Sequence, residues 1–220
     1  MSELGPNDFF DNGRIVQKEP RVKSNENDRL ITFSDGVIAI TITLMAFEIR
    51  LPDSAVPWTD ATLWQALLDL SPQYRAYLLS FLVIGVFWLG HRSKFTHITR
   101  HSQALVWLNM LFLCEIGFMP FATDVLAQSG ERLATILYAG TVATISLTSG
   151  AMTFYAMRAG LAETQHDAMI KAMLSILTPA LVFCLSIPIA LFDPRLAQLS
   201  WLLLIPANIL AGRFGRQPQS

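Results

Sequence analysis

Between Leu133 and Met157 the chain runs without a single charged side chain. A helix of that length on a soluble protein turns one face to water and carries charge along it. An uncharged one fits only a large protein core or a bilayer, whose hydrocarbon layer of about 30 Å takes roughly 20 apolar residues in a helix. A chain of 220 residues cannot bury several such helices on every side in a core of its own. Composition agrees: 52% of the residues are apolar and 15% charged, against about 25% charged in an ordinary soluble domain. Ten of the charged residues are crowded into residues 1–28. A formal net charge of −1 excludes nucleic acid binding driven by net charge. Cys114 and Cys184 stand inside apolar runs, where a small hydrophobic role fits better than a disulfide or a metal ligand.

Six stretches are long and apolar enough to span, at 30–49, 74–90, 105–122, 133–157, 172–192 and 196–212. The last is the shortest and contains Pro206, which predicts a kink or tilt. Continuous apolar runs lack the alternation that a transmembrane barrel strand needs. The fold class is therefore all-α, a polytopic membrane protein with six transmembrane helices. Twelve of the 16 basic residues fall on one side: Arg14, Lys18, Arg21, Lys23, Arg29, Arg92, Lys94, Arg100, Arg158, Lys171, Arg213 and Arg216. Positive residues mark the cytoplasmic side, so both termini are expected there, in a multi-pass protein of the inner (plasma) membrane. Residues 1–28 form a polar tail expected to be poorly ordered, 29–212 the six-span domain, and 213–220 a cytoplasmic C-terminal tail. The tail has no apolar signal region, which leaves the first span as the insertion signal. Trp58, Leu63, Trp64, Leu67 and Leu68 trace a helical stripe between the first two spans, suited to a short interfacial anchor.

The first span carries Asp35 about one and a half turns inside its start, and a carboxylate there demands a partner. Arg29 lies six residues earlier and reaches it only at the cytoplasmic end. Trp88, His91 and Asn109 stand near the same level on the second and third spans. The run Arg29, Phe33, Ser34, Asp35 resembles the Arg-x-x-x-Phe-Ser-Asp signature of the transmembrane protein 175 family of potassium channels. The stretches from Tyr77 to His91, Leu105 to Asn109 and Met119 to Phe121 resemble bacterial members in the same order. The resemblance covers residues 29–125. It implies a homotetramer of six-span subunits whose central pore is lined by the first helix, conducting potassium selectively but leakily. This chain contains no Thr-Val-Gly-Tyr-Gly loop, so selectivity must arise without a carbonyl filter.

At about 100° per residue, Gly36, Ile40, Thr43, Leu44 and Phe47 share one stripe. Asp35, Ala39, Ile42 and Ala46 point roughly the other way. The family resemblance implies a pore constriction five residues after the motif aspartate, at Ile40, with Thr43 a pore hydroxyl and Phe47 the next ring outward. A ring of isoleucines narrows the path until water is unfavourable there. Without the resemblance, the same stripe reads as packing against neighbouring helices. Arg29, Asp35, His91 and Asn109 read either as a satisfied buried network that fixes helix positions or as direct ion contacts, and the network is preferred.

Glu115, inside the third span, is either a proton-responsive or cation-attracting group, or a neutral acid bonded to a serine, threonine or carbonyl of an adjacent span. His91, His97 and His101 lack an accompanying cysteine or acid at ligand spacing, so no metal site and no cofactor are expected. No Walker loop, nucleophile elbow or hydrolytic acid pair occurs, and the chain does not read as an enzyme. The expected partners are three further copies of the chain, the lipid bilayer, and potassium and other monovalent cations as permeant species. The alternative is a proton-coupled transporter using Asp35, His91 and Glu115, against which stands the absence of a second Phe-Ser-Asp or other internal repeat.

Overall fold

The computed structural model describes residues 8–11, 14–17, 26–98, 102–161 and 166–201. Two short strands, β1 (Asp8–Asp11) and β2 (Arg14–Gln17), pair antiparallel within the polar tail. Seven helices follow in the described residues: α1 (Glu26–Ala46), α2 (Asp60–Asp69), α3 (Ser71–His97), α4 (Gln103–Ser129), α5 (Arg132–Arg158), α6 (His166–Phe192) and α7 (Pro194–Ser200). Four of them, α1, α3, α4 and α5, are long and apolar enough to cross a membrane, and Pro179–Phe192 of α6 is a shorter apolar helix. The fifth expected span falls on α6. Of the sixth, only α7 and Trp201 are described; the rest of 196–212 and the tail 213–220 lie outside the described residues.

The helices outrun the apolar stretches that announce them. α3 continues past Gly90 to His97, because Lys94 and Phe95 pack inward with 5% and 3% of their surface exposed. Arg92 and Lys94 therefore belong to a helix and not to the loop expected after residue 90. α4 carries Pro120 internally and ends at Gly130, whose φ of 60° makes it a left-handed cap donating its N–H to Leu126 O at 2.9 Å. α2 starts on a capping box in which Thr59 and Thr62 exchange side-chain and backbone bonds.

α1 packs on α4 and α3, and α5 packs between α4 and α6. Lipid chains are as apolar as leucine, so helices in a bilayer associate through close packing and internal hydrogen bonds. The central helix α5 meets that demand with small side chains: Ala134, Ala139, Ala143, Ser146, Ser149, Thr153 and Ala156 are all buried. Its hydroxyls bond their own backbone, as in Ser146 Oγ to Val142 O at 2.8 Å and Thr153 Oγ1 to Ser149 O at 3.1 Å. Larger side chains fill the gaps around it, with Phe112, Ile116 and Met119 of α4, Tyr138 and Met152 of α5 and Phe183 of α6 fully enclosed. Tyr138, Phe183 and Trp201 form an aromatic triad with ring centroids 5.1 to 6.0 Å apart.

Candidate functional site

α1 has three faces. Leu30, Ser34, Ile38, Thr41 and Met45 recur every three to four residues and are buried against the subunit's own helices. A second face presents Gly36, Ile40, Thr43, Leu44 and Phe47, all exposed on the isolated subunit, with Ile40 at 60% and Phe47 at 67%. The third holds Asp35, Ala39, Ile42 and Ala46, half-buried or exposed. Periodicity read the second and third faces as roughly opposite; in the structure the three faces stand about a third of a turn apart, with the buried one farthest from the uncovered stripe. The reason is that the helix leans on α4 and α3 along a single edge.

Thr43 on the uncovered stripe donates its hydroxyl hydrogen to Ile40 O at 2.8 Å and Ala39 O at 3.1 Å. That commits its one hydrogen to the helix's own backbone and leaves the oxygen as an acceptor. No atom stands within 4 Å of a side chain placed at Gly36, so the helix surface is open there.

Near the N-terminal end of this helix two polar clusters meet it. In the first, Trp88 Nε1 of α3 donates to Asp35 Oδ1 at 2.8 Å, and the Arg92 guanidinium lies 5.7 Å from the centre of the Trp88 ring. Arg29 is exposed at the start of the span, and the structure gives Asp35 to the indole instead.

In the second, the directions of the bonds are determined. Ser34 Oγ donates to Leu30 O at 2.8 Å, so it accepts from Asn109 Nδ2 at 2.9 Å. The Asn109 carbonyl then faces His91 at 2.8 Å, which requires the histidine proton on Nε2. His91 Nδ1 is left buried without a partner. The ring is held flat by Phe112, stacked at 5.3 Å and 14°, and by Phe95 at 4.6 Å. Phe33, by contrast, is 53% exposed.

Glu115 belongs to neither cluster. It stands six residues beyond Asn109 on α4, about 9 Å along the helix axis, and accepts from Thr148 Oγ1 of α5 at 3.0 Å. Its other oxygen, Oε2, is buried without a partner. Cys114 and Cys184 are free and exposed. Among the described residues no three His, Cys, Asp or Glu side chains come together as a metal site.

Two groupings escaped the sequence reading. Lys94 is buried and donates to Ser149 O at 2.8 Å and Ser149 Oγ at 2.5 Å. Its signal was present: Ser80, Ile84, Phe87, His91, Lys94 and Ile98 recur at alternating spacings of four and three, a stripe that runs on past the apolar stretch. The other is a hydroxyl triad in which Ser80 Oγ lies 2.7 Å from Thr123 Oγ1 and 3.0 Å from Tyr138 OH. Its members lie 43 and 58 residues from Ser80 in sequence, so no local spacing reveals it.

The described part is thus a helical membrane protein whose first helix leaves the Ile40 stripe uncovered and carries a polar lock near its N-terminal end. The chain belongs to the TMEM175 family. The profile of that family, described as endosomal/lysosomal potassium channel TMEM175, matches residues 29–120. A potassium channel of Streptomyces collinus is 37% identical over 142 residues, covering 64% of this chain and 68% of that protein. The crystal structure of a lysosomal potassium-selective channel TMEM175 homolog from Chamaesiphon minutus superposes with a TM-score of 0.74 at 28% identity, covering 84% of this chain and 98% of that one. The endosomal/lysosomal proton channel TMEM175 of Gallus gallus is 34% identical over 110 residues, but this chain spans only 22% of its length.

Proposed function

We propose that the chain is the subunit of a homotetrameric potassium channel of the inner membrane, with both tails cytoplasmic and a central pore lined by the first helix. The observation that carries this reading is the uncovered stripe of α1: Ile40, Leu44 and Phe47 are 60%, 48% and 67% exposed while the helix's other edge is fully packed. Four copies brought together on that stripe enclose a path. Ile40 makes its hydrophobic constriction, Thr43 offers its hydroxyl oxygen as an acceptor, and Gly36, Leu44 and Phe47 line the approaches. Conduction is passive, with potassium favoured over other monovalent cations and no cofactor. The names of the bacterial relatives support the choice of ion.

Potassium flux into liposomes carrying the purified protein, native against Ile40→Ala, tests this. The expected result is flux down the potassium gradient that rises, or loses its preference over sodium, in the variant. No flux in either form sinks the reading. Native mass measurement is expected to find four copies.

A second reading, proton permeation, has the printed name of the animal relative in its favour. The same liposomes with a pH dye and no potassium gradient separate the two. The transporter alternative requires Asp35, His91 and Glu115 to act as a relay, whereas Asp35 bonds Trp88, His91 bonds Asn109 and Glu115 bonds Thr148. Flux that demands a proton gradient would restore it.

A further inference from the structure

Lys94 is 5% exposed, yet among the described residues no carboxylate pairs with it. Burying an ammonium costs several kcal/mol unless its hydrogens are accepted. Here two acceptors come from one residue of α5, the Ser149 carbonyl and hydroxyl, and the Phe112 ring of α4 lies with its centre 6.0 Å from Nζ. The Ser149 carbonyl also accepts from Thr153 Oγ1 at 3.1 Å. The cation therefore fastens α3 to α5 through both the backbone carbonyl and the side-chain hydroxyl of a single residue.

One turn back along α3, His91 stacks on the same Phe112 ring and bonds Asn109, which bonds Ser34 of α1. Another turn back, Trp88 bonds Asp35 of α1. The ionisable group near Lys94 in the described residues is His91 on its own helix, and Asp35 of α1 acts on His91 in turn; α4 and α5 meet the ammonium with Phe112 and Ser149, which carry no charge. Displacing the end of α3 would pull on Ser34 and Asp35, which directly precede Gly36 and stand about one and a half turns before Ile40.

We propose that Lys94 is a positioning residue for the conduction path: a buried ammonium that clamps α3 to Ser149 of α5 and, through α3, sets the cytoplasmic end of α1. This rests on the reading of α1 as the pore helix. A residue that only filled space would be replaced by any side chain of similar length, whereas the clamp requires a donor-only cation.

The test uses the full-length protein in liposomes, comparing native, Lys94→Met, Lys94→Arg and Ser149→Ala for assembled size, thermal midpoint, potassium flux and potassium-to-sodium flux ratio. Lys94→Met is expected to assemble but to change the flux ratio by about threefold or more, the size of coupling that residues outside a site exert on it. Lys94→Arg keeps the charge and is expected to hold the ratio within about twofold of native, with Ser149→Ala between the two. A Lys94→Met channel with native flux and ratio overturns the proposal. If that variant does not assemble, Ser149→Ala decides: a changed ratio supports the clamp, and a native ratio overturns it. If the native protein conducts nothing, the channel reading fails by itself. The clamp is then read from the thermal midpoint, which must fall in Lys94→Met and overturns the clamp if it does not.

Discussion

Replacing Asn109 by leucine probes the lock between the first, third and fourth helices most directly, because the two side chains have similar volume and the loss is one of bonding. Asn109 is fully buried, accepts from His91 Nε2 at 2.8 Å and donates to Ser34 Oγ at 2.9 Å. Ser34 keeps its own hydrogen on Leu30 O at 2.8 Å, so its share of the loss is small, about 0.5–1 kcal/mol. His91 fares worse: Nδ1 already has no partner, and losing the Asn109 carbonyl leaves a buried N–H unpaired as well, costing about 1–3 kcal/mol. The sum is about 1.5–4 kcal/mol. At about 2–4 °C per kcal/mol for a chain of this size, the midpoint falls by roughly 3–16 °C.

The assay is thermal unfolding of the purified protein in detergent, followed by circular dichroism. The double variant His91→Phe with Asn109→Leu supplies the decisive comparison. Phenylalanine preserves the stack on Phe112 and Phe95 while removing both ring nitrogens, and replacing both partners of a buried bond by apolar groups is nearly neutral. The double variant is therefore expected to be more stable than Asn109→Leu alone. A double variant less stable than the single, or an Asn109→Leu shift below about 2 °C, refutes the reasoning.

Asp35→Asn keeps an acceptor for Trp88 Nε1 but removes the charge, and is expected to weaken assembly, read by native mass, before it alters cation preference; normal tetramers without cation preference would contradict the positional role given to Asp35. Thr148→Val removes the donor to Glu115 Oε1 and is expected to lower stability by about 1–2 kcal/mol in the same melting assay, whereas Glu115→Gln, which keeps a carbonyl acceptor, stays within about 0.5 kcal/mol of native. Gly130→Ala places a Cβ at a φ of 60° and is expected to cost about 1 kcal/mol, a drop of roughly 2–4 °C that leaves flux unchanged.

The spanning segments are legible because the bilayer imposes a length and forbids charge, and both are properties of a single stretch of chain. So is the division of α1 into stripes, since 100° per residue is a local rule. What each stripe meets is a different matter. The candidate partners for Asp35 came to one level by counting along separate helices, but which of them reaches the carboxylate depends on how α3 is rotated, and the rotation favours Trp88 over Arg29. For Glu115 the sequence allowed any hydroxyl or carbonyl of a neighbouring span; the choice of Thr148 follows from α5 lying beside α4. Lys94 shows the limit most plainly. In the sequence it is one of twelve bases grouped on one expected side of the membrane, and its burial arises because α3 runs on past the apolar stretch into the angle between α4 and α5.

The sequence by itself thus determined that this protein is helical, which stretches are long and apolar enough to cross a membrane and which motif stands at the start of the first of them. Those properties follow from hydrophobic length, charge placement and short-range pattern. Only the tertiary structure decided which polar groups pair, which face of the first helix stays uncovered, and that a lysine counted among the bases of one membrane side is buried against Ser149. Those depend on the mutual rotation of helices tens of residues apart, which no spacing along one of them encodes.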